Sequence, residues 1–144
     1  MNNKKILFLC VLISSLIMLN GCSVTKNTSS IASTENIIKM QISNIANVTK
    51  IEIKAYPGRL KIAQSKKEIT EIINYINSLD LKKATKTRVS GMGYVITVYF
   101  KDNTSKKYEH IGNIYFVDSE KKWYKMTYKQ AEKFEGIYNS LGEK

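Results

Sequence analysis

The sequence predicts an α+β fold, a curved antiparallel sheet of about five to seven strands with two helices packed on one face. Short stretches in which apolar and polar residues alternate predict half-buried strands. Turn residues separate these stretches by connections of hairpin length, which implies antiparallel pairing. Two longer segments instead repeat apolar residues at helical spacing. A layer of helices is the simplest way to bury the apolar side of such a sheet.

The first half of the domain is predicted to be a hairpin followed by a helix. Residues 48–55 alternate as a strand, residues 56–59 (Tyr-Pro-Gly-Arg) form a turn, and residues 60–62 return as a short strand. The helix begins after Ser65, because Ser65 and Glu68 have the spacing of a capping box. Its apolar stripe consists of Ile69, Ile72, Ile73, Ile76 and Leu79. That stripe either packs on the domain's own sheet, which we favour, or forms a docking surface for a partner.

The second half is predicted to be a meander of strands closed by a second helix. The strands are residues 81–89 at an edge, 94–101, 105–111, 114–117 and 122–126, with breaks rich in Gly, Asn and Asp. The closing helix begins after Thr127, which has capping-box spacing to Gln130. Its apolar face comprises Ala131, Phe134, Ile137 or Tyr138, and Leu141. Gly142 follows, where helices often end.

The chain divides into a leader, a tether and one domain, at residues 1–21, 22–47 and 48–144. The tether begins with a segment rich in Ser, Thr and Asn, which is typical of a flexible linker. Residues 37–46 are more apolar, and their pattern fits either a short helix or an extended lead-in.

The leader has the parts of a bacterial export signal. Lys4 and Lys5 make its start positive, and the stretch from Ile6 to Leu19 is apolar apart from two serines. This stretch is shorter than the roughly 20 residues that span a bilayer. It ends in Leu19-Asn20-Gly21-Cys22, which resembles the lipobox of bacterial lipoproteins, with an aliphatic residue three positions before the cysteine and a small residue directly before it.

The resemblance implies that the chain is a bacterial lipoprotein. It implies that a diacylglyceryl group is attached to the sulfur of Cys22, and that signal peptidase II cuts between Gly21 and Cys22. Two acyl chains are enough for stable anchoring, so the implied location is the extracytoplasmic face of the cell membrane. The alternatives are an ordinary secretory signal with a chance cysteine and an uncleaved single-span anchor. Composition and layout are similar to those of small lipoproteins of Gram-positive bacteria.

The charge of the chain favours anionic surroundings. Its formal net charge is +11, and loss of Lys4 and Lys5 with the leader would leave +9. Anionic lipid headgroups and anionic wall polymers are therefore plausible neighbours. Nucleic acid would also suit this charge, but an exported protein rarely meets it, so no nucleic-acid partner is expected.

The sequence nominates no catalytic site, no metal site and no cofactor. His110 is the only histidine, whereas catalytic triads and histidine-rich metal sites need further partners. We expect it to be a surface or half-buried strand residue. Cys10 lies in the leader and Cys22 would carry lipid, so no free thiol would remain. We therefore expect a protein that is not an enzyme.

One surface feature remains, a run of bases and aromatics that could bind an anionic polymer. The candidate binding face consists of Lys121, Lys122, Trp123, Tyr124 and Lys125. Lysines would neutralise charge, and aromatic rings would stack on sugar rings or hydrophobic groups. The alternative is a solvated lysine surface over aromatic core residues. A second basic stretch comprises Lys82, Lys83, Lys86 and Arg88.

These observations predict a membrane-anchored, non-catalytic binding or interaction module at the cell envelope. Its expected partners are the membrane, through the lipid on Cys22, and an envelope protein or an anionic envelope polymer. The alternatives are an accessory subunit of an envelope transport or secretion complex and a small envelope hydrolase.

Overall fold

The computed structural model describes residues 36–142, which form eight strands and two α-helices. The strands are β1 (Ile38–Lys39), β2 (Val48–Tyr56), β3 (Leu60–Ala63), β4 (Asp80–Lys83), β5 (Gly93–Phe100), β6 (Ser105–Ile111), β7 (Tyr115–Val117) and β8 (Trp123–Lys125). The helices are α1 (Lys66–Ser78) and α2 (Tyr128–Ser140), and a short 3-10 turn (Ile45–Asn47) precedes β2. The export signal and the lipobox lie outside the described residues.

The eight strands form one antiparallel sheet with the order β1-β4-β8-β7-β6-β5-β2-β3. The hairpin of β2 and β3 occupies one edge, and α1 then carries the chain across to β4 near the other edge. β5 pairs with β2, and β6, β7 and β8 follow it as a meander. The predicted α+β class is confirmed. The sheet has eight strands rather than five to seven, because the undecided segment 37–46 contributes β1.

The core lies between one face of the sheet, here called the inner face, and the apolar sides of both helices. Ile53 and Ile96 of the inner face are fully buried. The ring of Phe134 on α2 lies 5.1 Å from the ring of Tyr75 on α1 and 5.1 Å from the ring of Tyr94 on β5. One aromatic residue thus joins both helices to the sheet.

The apolar stripe of α1 is buried inside this core. Ile69 is 5% exposed and Ile73 is 0% exposed, and the remaining three residues of the stripe are buried as well. The stripe therefore packs inside the domain, which confirms the favoured prediction over a docking surface for a partner. Its burial argues against an accessory subunit that docks through this helix.

Both predicted capping boxes are present and fix where the helices begin. The backbone N–H of Glu68 donates to Ser65 Oγ (3.2 Å), and the backbone N–H of Ser65 donates to the Glu68 carboxylate (3.1 Å). Thr127 and Gln130 form the same reciprocal pair at α2. These bonds satisfy N–H groups that have no partner within the helix itself.

The folded domain begins before Val48, its predicted start. β1 pairs with β4, with Ile38 opposite Leu81. Ile42 is 5% exposed, and its backbone N–H donates to Asn77 Oδ1 on α1 (2.7 Å). Apolar side chains in this segment therefore join the core, which simple alternation over so few residues does not reveal.

β4 is shorter than the predicted strand 81–89 and does not lie at an edge. It covers only four residues, and β1 and β8 pair with its two sides. Residues 84–92 contain neither helix nor strand. Bases and Thr make up much of this segment, and none of its residues belongs to the buried core.

A β-bulge interrupts the predicted alternation of buried and exposed residues at the start of β2. The pairing with β5 shifts between Val48 and Lys50. The bulge turns Val48 to the buried side together with Ile51, whereas strict alternation would place these two residues on opposite faces.

Neither described helix is long and apolar enough to span a membrane.

Candidate binding surface at the sheet corner

Pairing of β4 with β8 brings together the two basic stretches of the sequence. Lys82 lies opposite Lys125, and Lys83 lies opposite Tyr124. The backbone N–H of Ala84 donates to the carbonyl of Trp123 (2.9 Å), which continues the contact beyond the strands. Residues about 40 positions apart in the sequence thus share one end of the sheet. We call the surface formed by Lys82, Lys83, Tyr115, Lys121, Lys122, Trp123 and Lys125 the basic–aromatic corner.

The alternation of β8 divides the predicted binding face between the two sides of the sheet. Trp123 and Lys125 point to the outer face, which the helices do not cover, and Trp123 is half-buried there. Tyr124 points to the inner face and is 5% exposed. Its hydroxyl donates to Asp118 Oδ2 (3.0 Å). Burial, and then this hydrogen bond, raises the pKa of Tyr124. Tyr124 is therefore a buried residue of the inner face and not part of the exposed outer surface.

An aromatic pair stands on the outer face at this corner. The rings of Tyr115 and Trp123 pack edge to face with centroids 5.9 Å apart. Lys125 Nζ lies 5.7 Å from the centroid of the Tyr115 ring, within the range of a cation–π contact. Tyr115 lies outside the segment 121–125, although it is one of the aromatics interleaved with lysines in the sequence. Strand pairing places it opposite Lys125.

A shallow depression of about 450 Å³ adjoins this pair. Three of the five predicted residues line it, namely Lys122, Trp123 and Tyr124. Lys83 and Ala84 of the β4 end complete the lining. The depression therefore lies among two lysines and Trp123.

Asp118 holds the turn that presents Lys121 and Lys122. The Asp118 side chain is buried, and its Oδ1 accepts from the backbone N–H groups of Glu120 and Lys122, both at 2.9 Å. Lys121 adopts a φ of 65°, in the left-handed region that non-glycine residues seldom occupy. Residues 118–121 thus form a turn, at the break predicted between the strands 114–117 and 122–126.

Two ion pairs lie at the basic–aromatic corner. Lys121 Nζ lies 2.8 Å from Glu109 Oε1, and Lys122 Nζ contacts Glu120 Oε2 at 2.5 Å. These pairs are largely exposed, so each contributes little to stability. Five lysines and the carboxylates of these two ion pairs lie at this corner.

The outer face changes character towards β2. There Glu52 accepts a hydrogen bond from Lys50 Nζ (2.8 Å) and from the hydroxyl of Tyr99 (2.8 Å). Lys50 Nζ also lies 4.3 Å from the centroid of the Tyr99 ring. The bonds from Lys50 and Tyr99 lower the pKa of Glu52. The Lys50 ammonium and the Glu52 carboxylate balance in charge, in contrast to the run of lysines at the corner.

His110 points to the inner face rather than to the outer surface. It is 3% exposed, whereas the sequence analysis expected a surface or half-buried residue. Its cross-strand neighbours on the inner face are Tyr94 and Phe116. Within residues 36–142, no group of three or more His, Cys, Asp or Glu residues could hold a metal ion.

No family model, no curated protein and no solved structure matches this chain.

Proposed function

We propose that the protein is a lipid-anchored envelope lipoprotein whose single domain binds an anionic envelope polymer through the basic–aromatic corner. The observation that carries this proposal is the β4–β8 pairing, which places Lys82 opposite Lys125 and brings Lys83 to the depression that Trp123 lines. A polyanion gains from several ammonium groups at once, because each contact releases a counterion. An exposed aromatic edge adds stacking on sugar rings or other flat groups.

The leader supports the location of this module. Leu19-Asn20-Gly21-Cys22 resembles a lipobox, and lipid on Cys22 would hold the domain at the extracytoplasmic face of a membrane. We propose a Gram-positive envelope, in which that face is exposed to wall polymers. The Ser-, Thr- and Asn-rich segment after Cys22 would allow the corner to reach polymers near that surface.

Polymer binding by matched lysine variants tests the proposal. The full chain in detergent is titrated with poly(glycerol phosphate), and uncharged dextran is the control polymer. Replacing Lys83, Lys122 and Lys125 together by Ala should weaken binding about tenfold or more and flatten its dependence on salt. Trp123→Ala should weaken it about tenfold at constant charge.

A control variant separates local binding from net charge. Lys66, Lys67 and Lys129 are exposed residues of the two helices, and replacing all three by Ala removes the same charge away from the corner. This variant should bind nearly as the native chain does. Equal weakening by both triple variants would show that only overall charge matters and would overturn the assignment of the corner.

A further inference from the structure

A second candidate site, lined by carboxylates instead of lysines, is a small cleft where α2 begins. The cleft has a volume of about 40 Å³ and lies among the start of β5, the turn between β6 and β7, and the first half of α2. A space of this size admits a group of a few heavy atoms. It is separate from the basic–aromatic corner and shares none of its residues.

An unpartnered imidazole lies at the floor of this cleft. His110 is 3% exposed, and neither of its ring nitrogens has a hydrogen-bond partner within the described chain. Its ring stacks on Phe134 (5.5 Å) and meets the edge of Tyr94 (5.7 Å). Burial lowers the pKa of His110 to about 4, so the ring is neutral at neutral pH and one nitrogen is a free acceptor. Buried polar groups normally have partners, so this acceptor calls for a donor.

The charge of the cleft is opposite to that of the protein. Glu132 and Glu135 are the charged residues that line it, and its lining includes no lysine or arginine. These carboxylates stand one helical turn apart on the same side of α2. Tyr94 and Tyr128 also line the cleft, and aromatic rings attract cations through their π faces.

We propose that this cleft binds the ammonium head of a small primary amine. The two carboxylates would attract the cation, Tyr94 and Tyr128 would enclose it, and one N–H would donate to the free nitrogen of His110. Met92 and Tyr128 at the mouth are 41% and 56% exposed. Exposed side chains exchange rotamers readily, and rotation of these two would give the ligand access to the His110 ring.

Titration of the full chain with amines, followed at the His110 ring by NMR, tests this site. The probes are ethylammonium, which represents a free amine, and Nα-acetyl-lysinamide, which represents the side chain of a polypeptide. Ionic strength is held constant with sodium chloride. Saturable shifts of the His110 side-chain ¹⁵N resonances with either probe support the site, and the active probe identifies the source of the amine. Tetramethylammonium, which has no N–H, should give no such shift.

Acid variants show whether the carboxylates carry the binding. Replacing Glu132 and Glu135 together by Gln should weaken amine binding about tenfold or more, because charge-assisted hydrogen bonds are lost. Glu71→Gln, an exposed acid on α1, is the control and should leave binding unchanged. Absence of saturable shifts with both probes, or equal affinity in the double variant, would overturn the proposal and leave a cleft that holds water only.

Discussion

At the scale of single residues, His110 has the environment furthest from its sequence-based expectation. The alternation of β6 shows which residues share its face, but not that this face carries a second layer of aromatic rings. Phe134 comes from α2, which is formed by a separate segment of the chain. A polar residue in such a place is detectable only once the packing of helix on sheet is known.

The buried imidazole predicts acid sensitivity. The pKa of His110 is lowered from 6.5 to about 4 in the folded domain, so between these values the unfolded chain binds a proton that the folded chain does not. The contribution of His110 to the free energy of unfolding is therefore fully present above about pH 6.5, and it is lost as the pH falls towards 4. The loss at about pH 4.5 should be roughly 2 to 3 kcal/mol.

Urea unfolding at about pH 7 and about pH 4.5 measures this loss. The rings of Tyr94 and Phe134 contact the imidazole, and Glu132 and Glu135 line the adjoining cleft. His110→Leu should remove most of the pH dependence, because His110 is the only histidine of the chain. If the free energy of unfolding of His110→Leu depended on pH as strongly as that of the native chain, the loss at low pH would come from carboxylates and not from His110.

At the scale of elements, both helices and the central strands could be predicted from local patterns. Capping boxes at Ser65 and Thr127 mark the helix starts through side-chain bonds that involve only neighbouring residues. Long alternating strands such as β5 and β6 are recognisable for the same reason. β1 and β4 are held by each other and by β8, so their lengths depend on distant partners and were not predictable.

The end of α2 depends on a lysine from the edge strand β3. Lys61 is 9% exposed, and its Nζ donates to the carbonyl of Leu141 (2.7 Å) and lies 4.8 Å from the centroid of the Tyr138 ring. A cation at a helix C-terminus satisfies carbonyl groups and interacts favourably with the helix dipole. This contact joins residues about 80 positions apart in the sequence.

Removal of the Lys61 ammonium should therefore loosen α2. Lys61→Met keeps most of the apolar stem and should lower the free energy of unfolding by about 1 to 3 kcal/mol. Lys107→Met, at an exposed position of β6, should change it by less than about 0.5 kcal/mol. Urea unfolding of both variants measures the difference, and equal values would show that the contact with Leu141 contributes nothing.

At the scale of the whole molecule, the candidate binding surface was only partly predictable. The segment 121–125 could be selected because its bases and aromatics are adjacent in the sequence. Its division between two faces follows from the pairing of β8, which turns Tyr124 inwards and Trp123 outwards. The contribution of Lys83 requires knowledge that β4 pairs with β8, and the intervening chain gives no local sign of that pairing.

The two proposed sites carry charges of opposite sign at different places on the domain. A surface rich in lysine lies at the corner of β4 and β8, and a cleft lined by carboxylates lies at the start of α2. Attachment through Cys22 would keep both sites at the cell surface, so the anchor is the claim on which the account as a whole depends.

Intact mass and membrane fractionation of the native protein beside Cys22→Ala test that claim most directly. We expect the native chain to begin at Cys22, carry added acyl mass and fractionate with membranes, and we expect the variant to lose both the added mass and the membrane association. A native protein that is unmodified, or that still carries residues 1–21, would contradict the lipid anchor.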